Sequence, residues 1–245
     1  MSDWLAKVHV VLLRPRWASN LGSVARAMKN FALPRLTIVQ SCIGSWADAY
    51  KMAVKAGDLL DGAVQTDDLG TALADARWIV GTSNAPPAGA EVLTPRDVAR
   101  LCRERGAPTL LFGSEITGLE PAELLRCHSI AAIPAAPEQS SLNLAQAVCV
   151  FGAELYQELA AGGEPVGEPT ASAAPAAPAA MLARLETLLT ATLQDSAWAD
   201  ASRSRHAIAE LLQPLYRARL TEAELRAWLI ALQRIGQVRR RGGGG

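Results

Sequence analysis

The sequence predicts an α/β fold, in which a mostly parallel sheet carries helices on both faces, followed by a small all-α C-terminal domain. Strand-like and helix-like segments alternate from residue 7 to residue 158, which is typical of parallel sheets with crossover helices. The first strand-like segment is apolar at nearly every position, which indicates a central strand buried on both sides. An Ala- and Pro-rich segment then separates this region from three helical segments.

The predicted strands are short runs of β-branched and apolar residues. They are Lys7–Leu13, Leu36–Val39, Ala63–Gln65, Trp78–Val80, Thr109–Phe112 and Ser129–Ile133. The helices between them are marked by capping residues and helical periodicity. They run from Ser19 or Asn20 to about Ala32, over Asp48–Leu60 with an interruption or end at Gly57, near Leu69–Ala76, from Pro95 to about Arg105, and from a Ser140-Ser141 cap through Leu155.

The first of these helices has two distinct faces on a helical wheel. The face predicted to join the core holds Val24, Ala27, Met28 and Phe31. The opposite face holds Gly22, Arg26, Lys29 and Asn30. We therefore expect Arg26 to point away from the core.

Composition shifts divide the chain into four parts. We predict an α/β domain over 1–159, an Ala/Pro/Gly-rich linker over 160–180, a helical domain over 181–238 and a disordered tail over 239–245. The helical domain has three apolar stripes, and its third helix opens with the capping box Thr221–Glu224 and is expected to end near Gly236.

Net charge gives no argument for a nucleic-acid partner, because the 245 residues include 24 Lys and Arg and 24 Asp and Glu. The distribution is more informative. Residues 181–245 contain ten Arg and six acidic residues, whereas residues 1–160 contain 14 basic and 16 acidic residues. The C-terminal part is therefore the better candidate for contact with a polyanion.

Candidate metal and redox ligands are scattered and form neither a CxxC motif nor a histidine pair. They are Cys42, Cys102, Cys127, Cys149, His9, His128 and His206. We expect buried free thiols, no metal and no catalytic Cys127–His128 dyad. Because the sequence shows no signal peptide and no apolar run of bilayer length, we also expect no membrane association and a cytoplasmic location.

Two loops are expected to meet at the carboxyl edge of the sheet, where open α/β folds bind ligands. One follows the strand Thr109–Phe112 and runs from Gly113 to Gly118, and the other follows Ile133. Glycine and Ala-Pro segments leave main-chain groups accessible, which suits a purine or a sulfonium amino acid. Leu119 replaces the lysine of a phosphate loop, and no GxGxxG follows the first strand.

Three motifs in order then resemble those of the SPOUT RNA methyltransferases. They are Asn20-x-Gly22-x3-Arg26, Gly113-x-Glu115-x2-Gly118-Leu119, and Ile133-Pro134 with Ser140-Ser141-Leu142-Asn143-Leu144-Ala145 and Ala147-Val148. The match covers roughly residues 7–158 and is most similar to the TrmJ subgroup, which methylates the 2′-hydroxyl of tRNA nucleotide 32. The resemblance implies a C-terminal trefoil knot in this domain, S-adenosylmethionine as cofactor, tRNA as substrate and a homodimer.

The resemblance also implies the site residues. The catalytic candidates are Arg26, Asn20, Ser141, Glu115 and Asn143. The cofactor-binding candidates are Thr82, Ser83, Asn84, Gly113, Ile133, Ser140, Ser141 and Leu142. Arginine is a poor base because its pKa is above about 12, so the family role of the matching arginine is to act with the substrate phosphate on the 2′-hydroxyl.

Each catalytic candidate also has an ordinary structural interpretation. Arg26 suits a surface or dimer-interface salt bridge, and Glu115 suits an ordinary loop position. Asn20, Ser141 and Asn143 suit helix caps. These alternatives remain open at the level of sequence.

The chain departs from the family pattern at several positions where relatives often carry RNA-binding side chains. The segment Asn84–Pro87 has no arginine, Ser114 replaces a frequent Arg, and Gln139 replaces a frequent Tyr. Arg14, Arg16 and the C-terminal arginines are candidates to compensate through phosphate contacts. Two alternative functions stay open: another SPOUT 2′-O-methyltransferase acting on the wobble nucleotide or on rRNA, and a non-catalytic RNA-binding protein of this fold.

Overall fold

A computed structural model of the chain describes residues 4–87, 89–161, 174–195 and 204–242. Within these residues seven strands form one sheet, and all of its pairings are parallel. The strands are β1 His9–Leu13, β2 Arg35–Val39, β3 Val64–Thr66, β4 Ile79–Thr82, β5 Val92–Leu93, β6 Thr109–Phe112 and β7 Ser129–Ala131. Their order is β3-β2-β1-β6-β4-β7-β5, so β1 lies next to β6 in the middle.

Ten α-helices are present in the described part of the chain. They are α1 Ala18–Asn30, α2 Ala47–Met52, α3 Gly57–Asp61, α4 Leu69–Leu73, α5 Pro95–Arg105, α6 Pro121–Leu124, α7 Leu144–Ala161, α8 Ala179–Asp195, α9 Ser204–Arg217 and α10 Glu222–Gly242. Short 3-10 helices cover Leu5–Lys7 and Pro137–Gln139. None of these helices is both long enough and apolar enough to cross a membrane.

The sheet is buried on both faces, as the uniformly apolar first strand predicts. Val10 and Leu12 point into the larger apolar cluster, which also contains residues of α1, α5 and α7. Val11 and Leu13 point the other way, into a cluster with residues of α4 and α6. Because side chains alternate along a strand, one apolar strand packs against helices on both faces of the sheet. The predicted α/β class is confirmed, whereas the trefoil knot stays a prediction.

The cap that the sequence predicts at Thr94 is confirmed, because the Thr94 side chain accepts the Asp97 N–H, but the caps predicted for α1 and α7 are wrong. Helix α1 begins at Ala18, and its N-cap residue Trp17 accepts no side-chain hydrogen bond, so Ser19 and Asn20 lie inside the first turn. Helix α7 begins after Asn143, whose Oδ1 accepts the Ala145 N–H at 2.9 Å. Asn143 therefore has the capping role that was predicted for Ser140-Ser141, and Asn20 is free to make a contact outside its own helix.

Other boundaries also differ from expectation. The segment predicted to be helical over Asp48–Leu60, with an interruption or end at Gly57, forms two helices, and the break lies between Met52 and Gly57. Strand β5 and helix α6 were not predicted, because elements of two and four residues are too short for a periodic pattern. Helix α10 continues past Gly236 to Gly242, so residues 239–242 are helical rather than a disordered tail. Positions 243–245 lie outside the described residues.

Gly22 was predicted to share the exposed face of α1 with Arg26, and this is wrong. Gly22 is buried, and a Cβ at this position would lie 2.1 Å from the carbonyl oxygen of Ala49 and 2.8 Å from Cβ of Met52. Glycine is needed here because α1 and α2 pack with their backbones nearly in contact. Arg26, Lys29 and Asn30 are exposed, as predicted.

The C-terminal helices have their own apolar cluster, formed by residues of α8, α9 and α10. They also dock on the α/β domain. The Ala179 N–H donates to the Ala76 carbonyl at 2.9 Å, and Arg77 pairs with Glu222 at 3.1 Å. The predicted linker over 160–180 lies mainly outside the described residues, but its last part is held in place, because Ala176 forms a β-bridge with Thr221.

Two of the four cysteines, Cys102 and Cys127, are buried, and burial raises the pKa of each thiol to about 12. Both are unreactive core side chains at neutral pH. Cys42 is exposed, so the expectation that all four thiols are buried is wrong for this residue. His128 is also a core residue and not part of a dyad, since its Nδ1 accepts the Ile79 N–H at 2.9 Å.

Acid is expected to destabilise the fold through His128. Burial, together with the charge of Arg219, lowers the pKa of His128 from 6.5 to about 4. The unfolded chain therefore takes up a proton near pH 6.5 that the folded chain resists until about pH 4. The contribution of His128 to stability is complete above about pH 6.5 and is lost as the pH falls towards 4, by roughly 3 kcal/mol. Urea unfolding between pH 7.5 and 4.5 measures this loss.

The control is His128→Asn, in which the amide oxygen can still accept the Ile79 N–H but the side chain does not titrate. The variant should lose less unfolding free energy than the wild type over the same pH range. Equal losses in the two proteins would show that other groups cause the acid sensitivity.

Candidate active site

A cavity of about 540 Å³ lies at the carboxyl ends of strands β4, β6 and β7. All eight residues predicted to bind the cofactor line it: Thr82, Ser83, Asn84, Gly113, Ile133, Ser140, Ser141 and Leu142. These residues come from three separate loops of the chain. The parallel sheet brings them together because the ends of its strands share one edge.

The loop after β6 forms one wall of the cavity and depends on two glycines. The Gly118 N–H donates to the Ser114 carbonyl at 2.8 Å, which closes the loop into a tight turn. Gly118 has φ +66°, a left-handed conformation that glycine adopts without strain. A Cβ on Gly113 would lie 2.1 Å from the Gly118 carbonyl carbon. Both glycines are therefore needed for the shape of this wall.

Three predicted catalytic residues are joined by hydrogen bonds beside the cavity. Asn20 of α1 donates from Nδ2 to the Glu115 carboxylate at 3.0 Å, and Asn143 donates from Nδ2 to Oδ1 of Asn20 at 2.9 Å. Glu115 also accepts the Arg16 N–H at 2.9 Å and the Trp17 N–H at 3.4 Å. The network ties the start of α1 to the loop after β6 and to the start of α7.

Arg14 connects the end of β1 to helix α6 in the same region. It adopts φ +55° directly after β1 and pairs with Glu123 of α6, and it lies 3.5 Å from Glu120. The hydrogen bond to Glu123 raises the pKa of Arg14 further above its usual value. Arg14 is thus committed to an internal ion pair, and its predicted role as a compensating phosphate contact is not supported.

Two other arginines near the site differ from Arg14 in this respect. The guanidinium groups of Arg16 and Arg26 form no hydrogen bond or ion pair with any residue that the structure describes, and both residues are exposed. Arg26 does not line the cavity but lies further along α1. An intrachain salt bridge, one of the ordinary interpretations of Arg26, is therefore not formed within the described chain.

The cavity has an unusual charge composition for a nucleotide site. Among the described residues that line it, Glu115 is the one charged side chain, and no Lys or Arg is present. Phosphate groups are normally held by basic side chains or by helix N-termini. The lining therefore favours a ligand without phosphates, and its carboxylate favours a ligand that carries positive charge.

Some lining residues were not among the predicted catalytic or cofactor-binding residues. They are Ala85, Phe112, Ser114, Ile116, Thr117, Gly118, Leu119, Pro121, Leu124, Ala131, Leu144 and Ala147. Most are apolar neighbours of predicted residues, and their position within or next to the motifs was the available signal. No cluster of three or more metal-ligating side chains occurs in the described part of the chain.

Comparison with known proteins identifies the family. The model of the SpoU rRNA Methylase family matches residues 7–153. The chain belongs to this family. Among its SpoU-family relatives, the tRNA (cytidine/uridine/adenosine-2'-O-)-methyltransferase TrmJ of Pseudomonas aeruginosa is 33% identical over 232 residues, which is 90% of each chain. The resemblance to the TrmJ subgroup is thereby confirmed.

Two solved structures agree with this assignment. The crystal structure of TrmJ from Z. mobilis ZM4 superposes with a TM-score of 0.82 at 27% identity, covering 94% of this chain and 100% of that chain. This likeness extends beyond the sheet into the C-terminal helices. A structure solved for insight into 2-OH methylation of C/U34 on tRNA matches with a TM-score of 0.50 at 27% identity, covering 63% of this chain and 97% of that chain.

Proposed function

We propose that this chain transfers a methyl group from S-adenosylmethionine to a ribose 2′-hydroxyl of tRNA, at anticodon-loop nucleotide 32. The observation that carries the proposal is the cavity, because one pocket in a SpoU-family chain gathers all eight predicted cofactor residues beside the Asn20–Glu115–Asn143 network. The names of the TrmJ relatives support tRNA as the substrate. Such an enzyme would act in the cytoplasm.

The cavity suits S-adenosylmethionine in size and charge. Small-molecule sites have volumes of roughly 300–1,000 Å³, and this one measures about 540 Å³. The cofactor carries a sulfonium, an ammonium and a carboxylate group but no phosphate, so its net charge is positive, which agrees with a lining that has one carboxylate and no basic side chain. Thr82, Ser83 and Asn84 would hold it together with main-chain groups of the loops that begin at Gly113 and Ile133.

The residues around the cavity have separate tasks in this proposal. The bound cofactor supplies an electrophilic methyl group. Asn20, Glu115 and Asn143 fix the three segments that surround the reaction site, so that the acceptor ribose enters in a defined orientation. Ser141 lies on the cavity wall, where its hydroxyl can contact the cofactor or the ribose. Arg26 would bind a substrate phosphate and orient the 2′-hydroxyl, since a guanidinium is a strong phosphate ligand and a poor base.

RNA binding would rest on two exposed arginines rather than on the positions that relatives often use. Arg16 and Arg26 lie on the α1 side of the cavity, and their guanidinium groups have no partner among the described residues. Contacts between arginines and phosphates release counterions, so RNA affinity should decrease as the salt concentration rises.

The proposal is tested by methyl transfer to unmodified tRNA. Radiolabelled S-adenosylmethionine should give incorporation into tRNA transcripts, and mass spectrometry of nuclease fragments should place the methyl group on nucleotide 32. Methylation at nucleotide 34 would support the wobble enzyme instead, which the likeness to the C/U34 methylation structure favours as the second candidate. Binding of tRNA without any turnover would identify a non-catalytic RNA-binding protein.

We also propose that the chain acts as a homodimer, as the resemblance implies. A group of apolar side chains on and just after α2 supports this arrangement, because Tyr50, Met52 and Val54 are 46%, 43% and 52% exposed. Adjacent exposed apolar residues are often covered by a partner. Light scattering that gave only the monomer mass of 25.9 kDa would contradict the dimer.

A further inference from the structure

Trp17 is a large aromatic side chain that remains exposed beside the candidate active site. It is the N-cap residue of α1, and 47% of its surface is accessible to solvent. The hydrogen bonds of Asn20 and Asn143 do not involve the indole of Trp17. A small polar residue would serve equally well as the N-cap of α1. Trp17 therefore has no evident structural task that would explain its exposure.

The main chain at Trp17 is nonetheless held in place. The main-chain N–H groups of Trp17 and Arg16 both donate to the carboxylate of Glu115, which itself lines the cavity. The exposed Ile116, 62% accessible, follows directly on the same loop. The rim of the cavity on this side thus presents to solvent an aromatic residue whose main chain is held in place.

The charge around Trp17 indicates what kind of partner would cover it. The guanidinium of the neighbouring Arg16 has no partner among the described residues, and the carboxylate of Glu115 is occupied by N–H donors. The first turn of α1 itself contains no acidic residue, and the guanidinium of Arg16 is the positive group on this rim that lacks a partner among the described residues. An aromatic face beside free positive charge suits single-stranded RNA, whose bases stack on aromatic rings while its phosphates pair with arginine.

We propose that Trp17 stacks on a base of the RNA substrate next to the methylated nucleotide, with Arg16 contacting the adjoining phosphate. The inference rests on the proposed function, because it concerns the RNA that this site would methylate. Stacking accepts every base, so Trp17 would add affinity and hold the RNA strand in register without selecting its sequence.

The test compares Trp17→Ala, Trp17→Phe and the wild type with an unmodified anticodon stem-loop as substrate. Trp17→Ala should raise the KM for RNA about tenfold, the effect of losing one base stack, while the Kd for S-adenosylmethionine stays unchanged. Trp17→Phe keeps an aromatic face and should stay within about threefold of the wild type. An unchanged KM in Trp17→Ala would overturn the proposal.

The chain offers a matched control in Trp228, which is also 47% exposed but lies on α10. Trp228→Ala should leave the KM for the stem-loop unchanged. Light scattering of Trp17→Ala should give the wild-type mass, and a lower mass would assign Trp17 to a subunit contact and overturn the proposal.

The two proposals fail in different ways. If the wild type binds the stem-loop but does not methylate it, the proposed function is contradicted for this RNA. The Kd of the stem-loop, measured by fluorescence anisotropy, then decides the role of Trp17 by the same comparison of variants. If the wild type neither binds nor methylates the RNA, both proposals are overturned.

Discussion

Arg26→Ala is expected to lower kcat for methyl transfer by roughly 100-fold or more, the usual effect of removing a group that acts mainly in the transition state. The Kd for S-adenosylmethionine should not change, because Arg26 does not line the cavity. This split between rate and cofactor affinity follows from the position of Arg26, whose guanidinium is exposed on α1 and unpaired among the described residues. Single-turnover kinetics and calorimetry measure the two quantities separately.

Two further variants make this test specific. Arg26→Lys keeps a positive charge but loses the forked guanidinium, so it should recover only part of the rate. Asn30→Ala changes another exposed position of α1 and should behave as the wild type. Full activity in Arg26→Ala would remove this arginine from the mechanism and return it to the role of an ordinary surface residue.

Gly113→Ala is expected to weaken cofactor binding by roughly 10- to 100-fold, because the added methyl group would overlap the main chain of Gly118. Its Cβ would lie 2.1 Å from the carbonyl carbon and 2.2 Å from the carbonyl oxygen of Gly118. Relief of this overlap requires the loop to open, at a cost of about 1–3 kcal/mol, and the loop forms one wall of the cavity. Calorimetric titration with S-adenosylmethionine measures the loss.

Gly44→Ala is the matched control, since no atom lies within 4 Å of a Cβ at that position. It should bind the cofactor as the wild type does. If Gly113→Ala also kept wild-type affinity, cofactor binding would not depend on the shape of the loop from Gly113 to Gly118.

The fold was largely predictable because its strands carry a clear pattern. Strand β6 forms over the predicted Thr109–Phe112, between Pro108 and Gly113, and β1 forms within the predicted run Lys7–Leu13, as His9–Leu13. Strand β5 has two residues and α6 has four, so neither contains a full period of alternation. The close approach of α1 and α2 at Gly22 was also hidden, because a glycine within a helix does not reveal which backbone lies against it.

The candidate site was predictable as a set of residues but not as a set of contacts. The family resemblance named the eight cofactor-binding candidates and Glu115, all of which line the cavity. The hydrogen bond between Asn20 and Glu115, and the ion pair between Arg14 and Glu123, join residues about a hundred positions apart. No local pattern specifies such pairs. As a result, Asn20 was given a capping role in α1, whereas its side chain in fact bonds to Glu115 and Asn143.

The central strand pair determines when this molecule can become native. His9 of β1 is in register with Thr109 of β6, so the middle of the sheet cannot close before more than a hundred residues of chain have been synthesised. Pairings of such long sequence separation are slow to form, because the loop entropy is lost before the contacts compensate for it. On the ribosome, the apolar β1 must therefore wait unpaired on that side, and this interval is when the nascent chain is most exposed to aggregation.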